Sequence, residues 1–302
     1  MLKIHQKAIL EEINDDLLQE KGVKLYVKRE DLLHSEVSGN KWRKLKYNLA
    51  AAVQAGQKTI LTFGGAYSNH IYATAAAAKE MGLNSIGVIR GEATTPLNPT
   101  LSFAVSCGMH LHYISRSLYR EKHQSYYISS LHELFGDFYY VPEGGSNSLA
   151  LKGCAEIVDE ISIPYDYLCT AVGTGGTMAG LIASEPTAMV VGFPALKGDF
   201  LTGEVLRLLN DFGYSGSTSW LINNEYHCGG YAKVTPELIA FIVNFRQKHA
   251  LQLDPIYTGK MMFGIFDLLS KNYFKKGSTI VALHTGGLQG NVGMEERLGI
   301  QL

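Results

Sequence analysis

Short apolar runs alternate along the chain with longer segments whose apolar residues recur at the spacing of an amphipathic helix. The strand-like runs are LYVKRE, TILTFGG, NSIGVIRG, HLHYIS, FYYVPEGG, YDYLCTAV, AMVVGFPAL and STIVALH. The helical segments between them are NKWRKLKYNLAAAVQAG, SNHIYATAAAAKEMG, NPTLSFAVSCGM, EKHQSYYISSLHELFG, SLALKGCAEIVDEIS and TMAGLIASE. Strands separated by helices predict an α/β fold with a mostly parallel sheet covered on both faces. Because these repeats exceed what one compact sheet holds, we predict two α/β lobes with the ligand cleft between them.

Composition is typical of a folded chain with a large apolar core. Its 302 residues are 46% hydrophobic and 18% charged, which argues against disorder. The formal net charge of −1 gives no field that would attract a phosphate backbone, so nucleic acid is not an expected partner. No apolar run has the length of a membrane span, and charges interrupt the apolar residues of the N-terminal MLKIHQKAILEEINDD. We therefore expect no membrane anchor, no signal peptide and a cytoplasmic location.

The cysteines offer neither a disulfide framework nor a metal site. Cys107, Cys154, Cys169 and Cys228 form no CxxC pair and have no zinc-finger spacing. We therefore expect buried free thiols and no bound metal.

Four strand-to-helix turns are rich in Gly, Ser, Thr and Asn, and free backbone N–H groups at such turns favour anions. They are residues 38–41, 64–70, 144–147 and 172–177. In the last turn, glycines let N–H groups converge while Thr174 and Thr177 add hydroxyls, which suits a phosphate group. The turn lacks the Lys-Ser/Thr of a P-loop and the GxGxxG fingerprint, so a small monophosphate cofactor suits it better than ATP. From spacing alone, a purely structural glycine turn is an equal alternative.

Lys41 is the candidate nucleophile. It lies in SGNKWRK where a helix begins, and a desolvated lysine near a helix N-terminus has a lowered pKa and can form a Schiff base. The competing interpretation is a solvated lysine in a basic first turn that also holds Arg43, Lys44 and Lys46.

Other strand ends carry groups that suit chemistry at the same edge. Ser68 and Asn69 begin a helix where a hydroxyl and N–H groups can hold a carboxylate, although both residues are also good N-caps. Tyr257 follows a proline-fixed turn and suits either acid–base chemistry or packing. Thr285 ends the last strand, where its hydroxyl would face the same cleft.

Together and in this order, the motifs resemble the pyridoxal-phosphate enzymes of the tryptophan-synthase-β fold (fold type II), specifically the 1-aminocyclopropane-1-carboxylate deaminase and D-cysteine desulfhydrase family. The resemblance runs through KRED, GNKWRKL, GGAYSNH, PEGGSN, VGTGGT, LDPIYTGK and HTGG, nearly the whole chain. It implies a large cofactor-binding domain of residues 1–53 and 146–302, and a small inserted α/β domain of residues 54–145. It also implies pyridoxal 5′-phosphate as the cofactor, a small amino acid as the substrate and a homodimer.

The resemblance also implies roles for single residues. Lys41 is similar to the lysine that binds the cofactor as a Schiff base, and Asn69 to the asparagine that hydrogen-bonds the ring hydroxyl. The remaining cofactor contacts would come from Val172, Gly173, Thr174, Gly175, Gly176, Thr177 and Thr285.

On the substrate side, Ser68, Asn69 and His70 would hold the carboxylate, and Ser68 would also act in proton transfer. Tyr257 and Tyr231 are similar to two tyrosines that line this side, with Tyr257 assisting proton transfer. Tyr226 lies in the same NNEYHCGGYAK stretch and is the alternative to Tyr231.

Two departures from the deaminases favour one activity within the family. Thr258 stands where the deaminases have a glutamate next to the ring nitrogen, and Thr285 where they have an apolar residue; both resemble the desulfhydrases. A carboxylate there keeps the ring nitrogen protonated and strengthens electron withdrawal, whereas a hydroxyl leaves the ring uncharged. The weaker electron sink suffices for α-proton removal when the β-carbon carries a good leaving group, but cyclopropane opening needs more. We therefore predict a lyase that converts D-cysteine to pyruvate, hydrogen sulfide and ammonia.

Three alternatives stay open at this point. The first is deamination of 1-aminocyclopropane-1-carboxylate to 2-oxobutyrate, for which Thr258→Glu with Thr285→Leu is the informative double change. The second is another lyase of the family, acting on D-serine, a β-substituted alanine or a sulfonated analogue. The third, of a different class, is a non-catalytic protein that binds pyridoxal phosphate.

Overall fold

Two separate β-sheets organise the protein in this computed structural model, which describes residues 2–302. The ten strands in that range, β1 to β10, are Leu10–Ile13, Lys24–Arg29, Thr59–Gly65, Asn84–Arg90, Met109–Ile114, Tyr139–Val141, Tyr167–Val172, Met189–Pro194, Trp220–Ile222 and Thr279–His284. The eleven α-helices in the same range, α1 to α11, are Asp16–Lys21, Asn40–Gln54, Asn69–Glu80, Pro99–Ser106, Ser125–Phe135, Ser148–Asp159, Gly176–Ala183, Phe200–Phe212, Pro236–His249, Thr258–Ser270 and Gly290–Leu298.

The larger sheet has six strands in the order β1-β2-β10-β7-β8-β9, and the smaller has four in the order β5-β4-β3-β6. All neighbouring strands run parallel except β1 with β2, which pair antiparallel. The prediction of an α/β fold with parallel-rich sheets is therefore confirmed. The strand pattern missed β1 and β9, which are only 4 and 3 residues long and too short to show a period.

The larger sheet is buried on both faces because alternate residues of each strand point to opposite sides. On β10, Ile280 and Ala282 lie in the apolar core beneath α1, α9 and α10. Val281 and Leu283, which alternate with them, lie in the core beneath α6, α7 and α8. This arrangement explains why STIVALH is apolar throughout and does not alternate in polarity.

The smaller sheet is sandwiched in the same way. Ile60 of β3 packs towards α2 and α3, whereas Leu61 and Phe63 pack towards α5. The four strands of this sheet begin at Thr59 and end at Val141. They fall within the predicted small domain of residues 54–145, whose boundaries stay a prediction.

Helix α2 joins the two lobes, because it packs on α6 below the larger sheet and on α3 below the smaller one. A Cβ on Gly153 would lie 2.0 Å from the carbonyl oxygen of Arg43, so α6 approaches α2 closely only because this residue is glycine.

The buried guanidinium of Arg43 donates to Glu160 at 2.6 Å and to Glu30 at 2.8 Å. Lys44 is buried as well. The alternative of a solvated basic first turn is therefore wrong for Arg43 and Lys44.

All four cysteines are free thiols, as expected. Cys154 and Cys169 are fully buried, whereas Cys107 and Cys228 are only partly buried.

Within residues 2–302, the helices are too short or too polar for any of them to span a lipid bilayer.

Candidate active site

A cleft of about 670 Å³ lies where the carboxyl ends of strands from both sheets meet. Its wall includes Gly65 and Arg90 at the ends of β3 and β4, Val172 at the end of β7 and Thr285 after β10. Every site residue predicted from the sequence lines this cleft except Gly176. Gly176 lies directly behind the wall, in the first turn of α7.

The start of α2 is held against the end of β10. Gly39 caps the helix with φ of 63°, and a Cβ at this position would lie 1.9 Å from the carbonyl oxygen of Thr285. The next two residues connect the lysine to the glycine-rich turn: Lys41 Nζ donates to Asn40 Oδ1 at 2.8 Å, and Asn40 Nδ2 donates to Thr177 Oγ1 at 2.8 Å. The amine of Lys41 is therefore fixed in place relative to the anion cup.

Burial lowers the pKa of Lys41 to about 7, and the positive charge of Lys44 adds to this effect. An exposed lysine would be protonated throughout the physiological range, whereas this amine is partly neutral near pH 7. The neutral amine is the nucleophilic and basic form.

The anion cup lies between β7 and α7, at residues 172–177. A Cβ on Gly173 would lie 3.0 Å from Tyr257 Cε1, and one on Gly176 would lie 2.6 Å from Ser146 Oγ, so side chains here would fill the cup. Gly175 has φ of 78°, which favours glycine. The N–H groups in the first turn of α7 have no side-chain cap, and Thr174 and Thr177 line the cup.

Lys44 completes the cup from below. Its Nζ donates to the carbonyl of Gly144 at 3.0 Å and to Ser146 Oγ at 3.3 Å. It also lies 3.0 Å from the position that a Cβ on Gly176 would take. A buried ammonium beside a helix N-terminus fits a phosphate dianion, because both groups favour negative charge.

The turn before α3 presents donors to a second part of the cleft. Ser68 Oγ accepts from the N–H groups of His70 at 3.2 Å and Ile71 at 3.3 Å, so its own proton is free to donate into the cleft. Asn69 Oδ1 accepts from Gln289 Nε2. Gly287, at φ of 90°, lies so close to Asn69 Nδ2 that a Cβ would come within 2.5 Å of it.

His70 is held as a neutral imidazole. The Thr62 hydroxyl donates to the carbonyl of Val141 at 2.8 Å, so it must accept from His70 Nε2–H, also at 2.8 Å. This leaves Nδ1 unprotonated, buried and without a hydrogen-bond partner among the described residues. Burial and the positive charges of Lys41 and Lys44 lower the pKa of His70 well below its ordinary value. His70 can therefore offer the cleft an acceptor but no positive charge.

Two tyrosines of the cleft wall face each other. The rings of Tyr231 and Tyr257 lie 6.3 Å apart at an interplanar angle of 67°. Burial raises the pKa of Tyr257 well above its ordinary value, so this phenol keeps its proton at neutral pH. Tyr226 instead lies in the core below the sheet, where its hydroxyl donates to Asp267 Oδ2 at 2.7 Å. Of the two candidates in this stretch, the structure places Tyr231 in the cleft.

Thr258 is buried and turned away from the cleft. Its hydroxyl donates to Asp254 Oδ1 at 2.7 Å and accepts from the N–H of Asp254 at 2.9 Å. Thr285, by contrast, lines the cleft. Position 258 therefore contributes no acidic group to the cleft wall, and position 285 contributes a hydroxyl.

Sequence reasoning missed several polar residues of the site: Asn40, Lys44, Arg90, Asp254 and Gln289. Asn40 and Lys44 belong to the GNKWRKL motif, so the motif itself was the available signal. Arg90 lines the cleft and forms no ion pair among residues 2–302. Asp254 lies in the LDPIYTGK motif and its partners are residues 256–258, so that motif was the available signal for it. Gln289 had no local signal, because its partner Asn69 lies 220 residues away in the chain.

One metal-like cluster lies outside the cleft, formed by His5, His34 and Glu80. His34 Nδ1 accepts from two backbone N–H groups, those of Glu36 and Val37, both at 3.0 Å. The ring proton is therefore on Nε2, which contacts Glu80 at 2.8 Å. A metal would have to replace that proton, so the arrangement is better explained as a hydrogen bond. The absence of a bound metal stays a prediction.

Two α/β lobes around a cleft that combines an anion cup with a desolvated lysine amine define a pyridoxal-phosphate-dependent enzyme. The amine suits the aldehyde of this cofactor and the cup suits its phosphate. The chain belongs to this family: the family described as "Pyridoxal-phosphate dependent enzyme" matches residues 13–286.

Known relatives show which group of pyridoxal-phosphate-dependent enzymes this chain is similar to. The chain is 32% identical to a bifunctional D-cysteine desulfhydrase/1-aminocyclopropane-1-carboxylate deaminase of Arabidopsis thaliana, over 89% of this chain and 73% of the relative. It is 28% identical to a D-cysteine desulfhydrase of Klebsiella pneumoniae, over 88% and 87% of the two chains. The crystal structure of an ACC deaminase homologue superposes with a TM-score of 0.85 at 27% identity, covering 98% of this chain and 94% of the other. The protein is thus a pyridoxal-phosphate-dependent lyase of the deaminase/desulfhydrase family, which confirms the family and the cofactor expected from the motifs.

Proposed function

We propose that the protein catalyses β-elimination from a small amino acid, with D-cysteine as the substrate. D-Cysteine and water give pyruvate, hydrogen sulfide and ammonia. The observation that carries the proposal is that positions 258 and 285 hold threonines, one turned towards Asp254 and one lining the cleft. No carboxylate replaces the glutamate of the deaminases, so the site suits a reaction with a good leaving group more than ring opening.

The residues that would hold the cofactor come from both lobes. Lys41 would bind its aldehyde carbon, Asn69 its ring hydroxyl, and the cup of residues 172–177 with Lys44 its phosphate. When bound, pyridoxal phosphate withdraws electrons from the α-carbon of an attached amino acid.

The α-carboxylate of the substrate would dock at the turn before α3. The helix N-terminus favours an anion there, and Ser68 donates its free proton to a carboxylate oxygen. His70 lines the cleft beside this turn, is held by Thr62 and adds no positive charge.

Lys41 is the proposed base for the α-proton. Its pKa of about 7 leaves a neutral fraction at physiological pH, and the bond to Asn40 limits where the amine can reach. We expect the position of this amine to contribute as much to the rate of α-proton removal as its basicity does.

Tyr257 is the proposed partner of the departing sulfur. It keeps its proton because burial raises its pKa, so it can donate a hydrogen bond to a developing thiolate. Tyr231 closes the same side of the cleft across from it.

A second candidate is opening of the cyclopropane ring to give 2-oxobutyrate. It is favoured by Asp254, a buried carboxylate that lies directly behind Thr258 at 2.7 Å from its hydroxyl. Besides burial, the negative charge of Asp254 raises the pKa of Tyr257. The same charge opposes the lowering of the Lys41 pKa by burial. Asp254 therefore acts on the site electrostatically, although it does not line the cleft.

The deciding experiment offers cofactor-loaded protein D-cysteine, L-cysteine and 1-aminocyclopropane-1-carboxylate in separate reactions. The keto acid is identified by chromatography and sulfide is measured in parallel. We expect pyruvate and sulfide from D-cysteine in equal amounts. Lys41→Ala serves as the blank, since free cofactor reacts with cysteine unaided. Lys46→Ala is the matched control, because this lysine lies on the same helix but pairs with Glu156 outside the cleft.

Each other result has a definite meaning. 2-Oxobutyrate as the main product would replace the proposal with the second candidate. Preference for L-cysteine would retain β-elimination as the reaction but would make the L-amino acid the substrate. No keto acid from any of the three would refute both candidates.

A further inference from the structure

Lys260 is a completely buried lysine whose ammonium group is held by backbone alone. Its Nζ donates to the carbonyl oxygens of His227 and Gly230, both at 2.8 Å, and of Ala195 at 3.3 Å. Within residues 2–302, no carboxylate lies within ion-pair distance of it. Burial lowers the pKa of Lys260 to about 8. An unpaired buried cation is costly, so its three acceptors must offset a large desolvation penalty.

Two of the three acceptors belong to one unusual loop, residues 227–232. In it, Cys228, Gly229, Gly230 and Ala232 have φ of 50°, 90°, 112° and 55°. Positive φ is unfavourable for Cys and Ala, so the loop is not expected to adopt this path without ties to the rest of the fold. The carbonyls bound by Lys260 are such ties.

The loop carries Tyr231 directly after Gly230. Tyr231 faces Tyr257, which caps the first turn of α10, and Lys260 lies one turn further along the same helix. A single helical turn therefore bears one tyrosine of the cleft and holds the loop that bears the other. Lys260 itself does not line the cleft.

We propose that Lys260 is a positioning residue that holds Tyr231 against Tyr257 on the substrate side of the cleft. The effect of Lys260 on turnover rests on the proposed function, whereas its effect on the loop does not. If Lys260 only stabilised the fold, its substitution would lower kcat/KM by the same factor in the presence and in the absence of the Tyr231 side chain.

The first measurement is hydrogen–deuterium exchange of the cofactor-loaded protein. Lys260→Met keeps the length of the side chain and removes all three hydrogen bonds, whereas Lys260→Arg keeps donors in place. We expect faster exchange in residues 227–232 for Lys260→Met, with segments that Lys260 does not contact unchanged, and partial recovery for Lys260→Arg. Unchanged exchange in this loop would overturn the proposal, whatever substrate the protein uses.

The second measurement is a double-mutant cycle on D-cysteine turnover. We expect Lys260→Met to lower kcat/KM about 10- to 100-fold, because misplacing a group by about an ångström has effects of that size. In a Tyr231→Ala background the same substitution should change kcat/KM less than about threefold. Equal losses in both backgrounds would show a purely structural role and refute the positioning role.

Two safeguards keep the test decisive. If Lys260→Met fails to fold, Gly230→Ala disturbs the same loop from its other side, since φ of 112° disfavours alanine, and the same two results are expected. If the wild-type protein does not act on D-cysteine, the proposed function fails, but loop exchange still decides the role of Lys260.

Discussion

The hydroxyl of Thr258, the first residue of α10, donates over 2.7 Å to the carboxylate of Asp254, four residues before it in the chain. The same carboxylate accepts the N–H groups of Ile256, Tyr257 and Thr258 at 3.0, 2.8 and 2.9 Å. Asp254 is thus fully satisfied, and the turn that presents Tyr257 is built around it. Thr258 is therefore part of the scaffold of the site.

Replacing Thr258 with valine should weaken this scaffold. Thr258→Val has nearly the same shape but leaves a buried carboxylate oxygen and the N–H of Asp254 with one partner fewer. We expect a loss of about 1–3 kcal/mol in the free energy of unfolding, measured by urea denaturation. Thr218→Val, which removes a hydrogen bond to the Ile182 carbonyl at a half-buried position, is the control and should cost less. Equal losses for the two variants would contradict the importance of the Asp254 contact.

Lys44 should matter for the phosphate of the cofactor and not for its ring. Lys44→Met removes the buried ammonium next to the cup, and charge-assisted hydrogen bonds of this kind contribute about 1.5–3 kcal/mol. We expect the affinity for pyridoxal phosphate to fall about 10- to 100-fold by equilibrium dialysis. Affinity for pyridoxal, which lacks the phosphate, should change little. A similar loss for both compounds would indicate that Lys44 acts through folding.

Cofactor capture should depend on pH with a midpoint near 7. The pKa of Lys41 is lowered to about 7, so below that value the amine is protonated and unreactive, and above it the amine is free. The capture rate of apoprotein, followed by stopped-flow absorbance, should therefore rise from pH 6 to 8 and then level off. Lys44→Met should move the midpoint upwards, because the positive charge of Lys44 contributes to the lowering. A midpoint near 10 would mean that Lys41 is solvated.

Substitution of Tyr226 should change the stability of the protein, whereas substitution of Tyr231 should change its turnover. Tyr226→Phe removes the part-buried hydrogen bond to Asp267, so we expect a loss of about 1–2 kcal/mol in stability with kcat/KM unchanged. Tyr231→Phe should leave stability within about 0.5 kcal/mol, since the side chain is partly exposed, while lowering kcat/KM about tenfold. Thermal unfolding and pyruvate release measure the two quantities. The reverse pattern would make Tyr226 the site residue.

Much of the fold and of the site can be predicted from local features of the chain. Strand runs such as TILTFGG and STIVALH are apolar because both faces of their sheets are covered, and the helices between them show their own period. Thr235 and Pro236 predict the start of α9, and Thr235 does accept from the N–H of Leu238 there. The GNKWRKL, GGAYSNH and VGTGGT turns point to the cleft because backbone groups at helix starts are free in any fold of this type. The homodimer and the roles of the single site residues stay predictions.

The sequence by itself determined the α/β class, the family, the cofactor and the turns that meet at the cleft, because each depends on periodicity or on residues adjacent in the chain. Only the tertiary structure decided that Tyr231 and not Tyr226 faces the cleft, since either fits its local segment. It also decided that Arg43 and Lys44 are buried, because their hydrogen-bond acceptors lie in other segments of the chain. Arg43 donates to the carboxylates of Glu30 and Glu160, and Lys44 donates to the carbonyl of Gly144. The same holds for Lys260, whose acceptors lie 30 to 65 residues away. Side-chain direction and desolvation are properties of packed elements, and no local pattern encodes them.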